Sequence, residues 1–173
     1  MAKGIFLTGT GTDIGKTYIA GLLVKTLAEA GKRPAYYKAA MSGNDRRPDG
    51  SLIPGDGAFV KTFSGIGQSL ESMCPYVYEH AWSPHLAARF EGPQIDLEVV
   101  KAGWRSVCER YDYVTMEGSG GIPQGRGGHI RHFIGDHTAA LQRDGGGGQQ
   151  TLVQLADRLR LLPVGDDSAH QLF

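Results

Sequence analysis

The chain has 173 residues, and Lys plus Arg and Asp plus Glu balance at 18 each for a formal net charge of +0, so no long-range field draws it to nucleic acid or an anionic membrane. That length suits about one domain, able to bury roughly two-thirds of its unfolded surface. Cys74 and Cys108 have neither the number nor the spacing of a disulfide framework or a zinc site and are expected as reduced core residues. Lys3 runs directly into a short apolar stretch without the pattern of a signal sequence or a membrane span, so a soluble cytoplasmic protein with no nucleic-acid or membrane partner is expected.

Gly4-Ile5-Phe6-Leu7-Thr8 reads as a strand, and a helix is expected from near Gly15 with Ile19, Leu22, Leu23 and Leu27 at helical spacing. Between them lies Gly9-Thr10-Gly11-Thr12-Asp13-Ile14-Gly15-Lys16-Thr17, the layout of a phosphate-binding loop. Its glycines admit an anion close to the backbone, the N–H groups of the helix start point at phosphate oxygens, and the Lys16 ammonium adds a point charge. Thr17 would place a hydroxyl on magnesium. Five residues separate Gly9 from Gly15, where the common pattern has four.

Gly31 to Pro34 makes a turn, and residues 35–40 read as a second strand running into the loop Met41-Ser42-Gly43. Residues 44–57 are polar and rich in Gly and Pro, a surface loop with Asp56 near its end, and helix resumes at 58–63. Ser83-Pro84-His85 looks like a helix cap with proline in the first turn, ahead of Leu86 to Phe90. Another helix spans about 96–109, with Leu97, Val100, Trp104 and Val107 on one face. Residues 113–116 are then a strand, followed at its carboxyl edge by Glu117-Gly118-Ser119-Gly120-Gly121. Alternating strands and helices predict an α/β, doubly wound and mainly parallel sheet of the P-loop NTPase kind, on whose edge the phosphate loop, the Lys38 and Ser42 segment and the Glu117 turn converge. Three regions are expected: a P-loop α/β core over 1–122, an irregular glycine-rich segment over 123–150, and over 151–173 a helix through Leu152, Leu155, Leu159 and Leu162 with the start of a further strand. On that reading the C-terminal strands are incomplete, and an altered or shortened reading frame is one expectation.

The loop with its extra residue, Tyr37-Lys38-Ala39-Ala40-Met41-Ser42-Gly43, Ser83-Pro84-His85 and Glu117-Gly118-Ser119-Gly120-Gly121 together resemble dethiobiotin synthetase, the ATP-dependent enzyme of biotin synthesis, over about residues 3–122. The resemblance implies a homodimeric cyclo-ligase that uses ATP and magnesium. Carbon dioxide would be fixed as a carbamate on 7,8-diaminononanoate, phosphorylated, and closed by the second amine to a cyclic urea. It implies Lys38, Lys16 and Thr12 as catalytic, with Lys38 facing the γ-phosphate and carbamate, and Thr12, Lys38 and Ser42 against the substrate. It places nucleotide on Asp13, Ile14, Gly15, Lys16, Thr17, Tyr18, Asp56, Glu117, Gly118, Ser119 and Gly120. Thr17, Asp56 and Glu117 are the implied metal ligands, a set of hard oxygens suited to magnesium.

From local sequence alone, Asp56 reads equally as a solvated loop carboxylate, and Lys38 as an edge lysine whose stem covers apolar surface. Glu117 is different, because a carboxylate ending an apolar strand is tolerated only with a partner. His80, His85, His129, His132 and His137 lack the partners of a metal site; His85 reads as packing or capping locally, and Trp82 and Trp104 as core or interface residues. Two rival readings stay open: a partitioning-type ATPase switch, whose loop normally carries an additional early lysine absent from Thr10-Gly11-Thr12, and a non-catalytic remnant that still binds nucleotide phosphate.

Overall fold

A computed structural model describes residues 2–9 and 11–119. The elements in chain order are β1 (Lys3–Leu7), α1 (Lys16–Glu29), β2 (Pro34–Lys38), β3 (Ala40–Met41), α2 (Gly55–Ser64), α3 (Leu70–Met73), β4 (Tyr76–Val77), α4 (Pro84–Glu91), α5 (Leu97–Arg110) and β5 (Tyr113–Glu117). The irregular segment expected over 123–150, the helix and strand start expected over 151–173, and Gly120 lie outside the described residues.

The principal sheet is parallel with order β1-β5-β2, so the last described strand inserts between the first two. Its register sets Leu7 beside Glu117 and Glu117 beside Lys38, which lines up three strand ends at one carboxyl edge. Alternation along β2 sends consecutive tyrosines to opposite faces. Tyr36 joins Leu7, Ala20, Val24, Val60 and Met73 on one side, while Tyr37 joins Val100, Trp104, Val107, Val114 and Met116 on the other. Helices α1 and α2 therefore cover one face and α5 the other, as a doubly wound sheet requires. Gly103 lets α5 approach closely: a Cβ there would fall 2.7 Å from the Tyr37 hydroxyl oxygen, which donates to the Val100 carbonyl at 2.7 Å. The two cysteines pack in these separate cores, Cys74 buried on the Tyr36 side and Cys108 partly buried on the Tyr37 side.

Several expectations from sequence are amended. The strand expected over 35–40 divides at Ala39: β2 stays in the main sheet, and Ala40 and Met41 turn to pair in parallel with Tyr76 and Val77. Runs of two residues carry no readable alternation, which is why β3 and β4 went unseen. Of the α1 stripe expected through Ile19, Leu22, Leu23 and Leu27, the last two are buried, whereas Ile19 is exposed and Leu22 half-buried; the smaller Ala20 and Val24 join the core instead. Helix α2 begins at Gly55, so Asp56 belongs to its first turn, where the helix macrodipole favours a carboxylate. Trp104 is core, edge-on to Tyr37 at 5.8 Å, but Trp82 is exposed and stacks on His80 at 4.6 Å. No helix among the described residues is long and apolar enough to cross a membrane.

Candidate active site

The strand ends and the loops after them enclose a cleft of about 1060 Å³. Its polar end is built by Thr12, Asp13, Gly15, Lys16 and Thr17 from the loop after β1, Lys38 and Ser42 after β2, Asp56 from α2, and Glu117 and Ser119 after β5. The rest of its lining is more apolar, with Met41, Trp82, Pro84, Ala88, Ile95 and Leu97, together with His85.

The loop takes the shape its glycines permit. Gly15 sits at φ 86 as the residue preceding α1, a left-handed conformation that suits glycine, and Asp13 at φ 54 adds a second left-handed turn. No side chain of the described residues caps α1, so the N–H groups of its first turn remain for an anion. Lys16 is buried, and its ammonium donates to the Gly11 carbonyl, which folds the lysine back along the loop it belongs to.

The centre of the polar end is Lys38. Its Nζ donates to Asp56 Oδ2 at 2.6 Å and to Glu117 Oε1 at 2.8 Å, while its side chain is 10% exposed. Glu117 is 1% exposed at its side chain, so its charge is tolerated by pairing, as its position at a strand end implied. Burial works against the charge on Lys38, but Glu117 and then Asp56 outweigh it and hold the ammonium pKa above its ordinary value. Lys38 is thus a fixed cation throughout the neutral range. The Thr17 hydroxyl lies 3.1 Å from Glu117 Oε1 and 3.3 Å from Asp56 Oδ1, and since it has one proton it can donate to one of them at a time. Thr17, Asp56 and Glu117 therefore converge as three hard-oxygen donors, and two carboxylates facing one ammonium leave a net negative charge. That donor set and charge fit a small divalent cation.

The remaining expected residues divide. Ser42 donates to the Trp82 carbonyl at 2.6 Å and Ser119 to the Ala40 carbonyl at 2.6 Å, so both hydroxyls tie the loops of the cleft together. Ile14 and Tyr18 are exposed and absent from the cleft lining, with Tyr18 packed on Phe63 at 5.5 Å, and the Gly118 N–H donates to the Leu7 carbonyl. His85, expected to pack or cap locally, stands in the first turn of α4 and is among the residues that line the cleft. Sequence reasoning missed Tyr36, whose hydroxyl donates to Glu117 Oε2 at 2.7 Å. Strand alternation could have found it, since residues 36 and 38 share a face. The apolar residues carried no comparable signal, because they come from three separate stretches of chain.

Comparison with known proteins agrees with this geometry. A family model described as an AAA domain matches residues 3–133. The chain is 48% identical over 122 residues to the ATP-dependent dethiobiotin synthetase BioD of Clostridium botulinum (strain ATCC 19397 / Type A), covering 70% of this chain and 53% of that protein. It is 47% identical over 126 residues to the protein of the same name from Clostridium novyi (strain NT), covering 70% and 51%, and 46% identical over 122 residues to that of Clostridium perfringens (strain 13 / Type A), covering 70% and 53%. The chain spans about half the length of these curated relatives. With a phosphate loop, a parallel sheet and a family match over most of its residues, the chain belongs to the AAA domain family, and its resemblance within that family is to the dethiobiotin synthetases.

Proposed function

We propose that the chain carries out the ATP-dependent conversion of 7,8-diaminononanoate and carbon dioxide to dethiobiotin, with magnesium as cofactor and a homodimer as the working form. The observation that carries this reading is Lys38, buried between Asp56 and Glu117 in a cleft that phosphate-loop residues and several apolar side chains also line. A phosphate loop alone would serve many nucleotide reactions. A second fixed cation beyond it suits a reaction in which a carbamate oxygen meets a γ-phosphoryl group, two anions that must be brought together.

One amine nitrogen of the diamine attacks carbon dioxide, forming a C–N bond and releasing a proton to leave a carbamate. A carbamate oxygen then attacks the γ-phosphorus; the new O–P bond forms as the bond to ADP breaks. The second amine attacks the carbonyl carbon, phosphate leaves with the C–O electron pair, and loss of a proton gives the cyclic urea. In this scheme Lys38 neutralises the carbamate and the transferring group, and Lys16 leaves the Gly11 carbonyl for the β and γ oxygens. Thr12 and Ser42 orient the carbamate and amine ends. Thr17, Asp56 and Glu117 hold magnesium, which when bound offsets the charge of the phosphates. The wall of Met41, Trp82, Pro84, Ile95 and Leu97 suits an aliphatic chain.

The test is incubation of the purified chain with diaminononanoate, bicarbonate and Mg-ATP, following dethiobiotin and phosphate together. Equal amounts of both, dependent on the diamine, are expected. Nucleotide binding without dethiobiotin would overturn the reading and leave a nucleotide-binding role. Sedimentation at assay concentration tests the dimer.

A further inference from the structure

The two oxygens of Glu117 have separate partners. Oε1 accepts from Lys38 at 2.8 Å and faces Thr17 at 3.1 Å, whereas Oε2 accepts from the Tyr36 hydroxyl at 2.7 Å. Tyr36 is fully buried, two residues before Lys38 on the same face of β2, and opposite Thr115, so its phenol reaches diagonally past that residue to Glu117. Its backbone is held as firmly as its ring. β2 is an edge of the described sheet, and there the side-chain amide of the buried Gln68 replaces a neighbouring strand: the Tyr36 N–H donates to Gln68 Oε1 at 2.8 Å, and Gln68 Nε2 donates to the Tyr36 carbonyl at 2.9 Å. Lys61 in turn donates to the Gln68 carbonyl at 2.7 Å.

We infer that Tyr36 is a positioning residue that acts through Glu117 to set the cation selectivity of the site: by occupying Oε2 it leaves the carboxylate a single oxygen to offer. This rests on the reading of Thr17, Asp56 and Glu117 as a magnesium-nucleotide site. The physical reason is coordination geometry. Magnesium demands a near-ideal octahedron and takes one oxygen from a carboxylate, whereas calcium accepts both oxygens in a looser, larger shell. A Glu117 free to rotate would offer both.

The test is calorimetric titration of the full chain with ADP in EDTA, in magnesium and in calcium, for the wild type and for Tyr36→Phe. The expected result is an ADP affinity in EDTA within about twofold of wild type, a loss in magnesium of about 10-fold, the scale for removing an outer hydrogen bond to a metal ligand, and a smaller loss in calcium. Replacing Tyr36 by 4-aminophenylalanine, which keeps a donor on the same ring, is expected to restore the magnesium affinity. Unchanged magnesium affinity in Tyr36→Phe overturns the inference, as does an equal loss in all three buffers, which a merely structural role would produce. If Tyr36→Phe does not fold, the 4-aminophenylalanine chain carries the test, and a 10-fold loss of magnesium affinity in that folded chain overturns it. A wild type whose ADP affinity ignores magnesium instead removes the site reading itself, a different outcome from a magnesium-dependent wild type matched by its variant.

Discussion

The two halves of the polar end are built in opposite ways. The phosphate loop is contiguous, and its main polar contact, from Lys16 to the Gly11 carbonyl, spans five residues. The Lys38 cluster joins Asp56 from 18 residues away and Glu117 from 79 residues away, and meets Thr17 across a gap of 100 from Glu117. The loop's shape is a local backbone property, set by which residues tolerate positive φ. The cluster exists only when three strand ends are in register and α1 and α2 lie over them. A local site can survive loosening of the sheet, whereas the cluster cannot.

Removing the cation at its centre should have the largest effect. Lys38→Ala is expected to lower turnover by a factor on the order of 10²–10³, the scale of losing one preorganised charge in a transition state, while nucleotide stays bound. Dethiobiotin formation and ADP affinity measured on the same sample check both halves, and near-normal turnover would end the assignment of Lys38. Stability should fall with it, because Glu117 is left buried without its ion-pair partner; breaking such a pair costs about 3–5 kcal/mol, toward the low end here since Asp56 is 37% exposed.

Breaking the loop instead is expected to cost less stability. Gly15→Ala places a side chain at φ 86, a strain of about 1–2 kcal/mol, and should weaken ADP binding while leaving the register of the sheet untouched. Thermal unfolding and ADP titration read the two effects separately. A variant that loses the sheet as well would show the loop to be less independent than its contacts imply.

Alkaline pH sharpens the contrast. Against the opposing effect of burial, the carboxylates of Glu117 and Asp56 raise the Lys38 pKa above its ordinary value of 10.5, and burial, followed by the charge of Glu117, pushes the Tyr36 phenol well above 10.0. In both cases the folded state keeps a proton that the unfolded chain releases first, so stability is fully present below about 10 and falls as pH rises through the folded values. Unfolding temperature followed from pH 8 upward should show that fall, and its slope should diminish in Lys38→Met. The smallest effect is expected at the exposed pair of Arg46 and Glu79: Arg46→Gln should leave the unfolding temperature and turnover unchanged within error, since solvent and salt screen such pairs.

The phosphate loop, the helix after it and the helix ending at Arg110 were legible because each is a contiguous pattern with its own period or punctuation. Lys38 and Glu117 stand in quotable motifs and Asp56 was singled out only through the family resemblance, but the distances among the three were not legible. Tyr36 was hidden for a plainer reason: a tyrosine in an apolar strand has the composition of core, and only the placement of Glu117 on the neighbouring strand gives its hydroxyl an acceptor. The turn of the chain at Ala39 into β3 was also invisible, because two residues pairing with Tyr76 and Val77 leave no periodic trace.

By itself the amino-acid sequence determined the pattern of a phosphate loop, a parallel α/β sheet and the charged residue types of the site, all properties that follow from neighbours along the chain. Tertiary structure decided which oxygens face one another. The order β1-β5-β2 brings Glu117 beside Lys38, Asp56 enters from the first turn of α2, and Tyr36 takes the one oxygen that Lys38 and Thr17 leave. The reason is the scale of the interactions: φ preferences act within a residue, while a buried ion pair must be assembled to within tenths of an ångström from segments that only packing brings together.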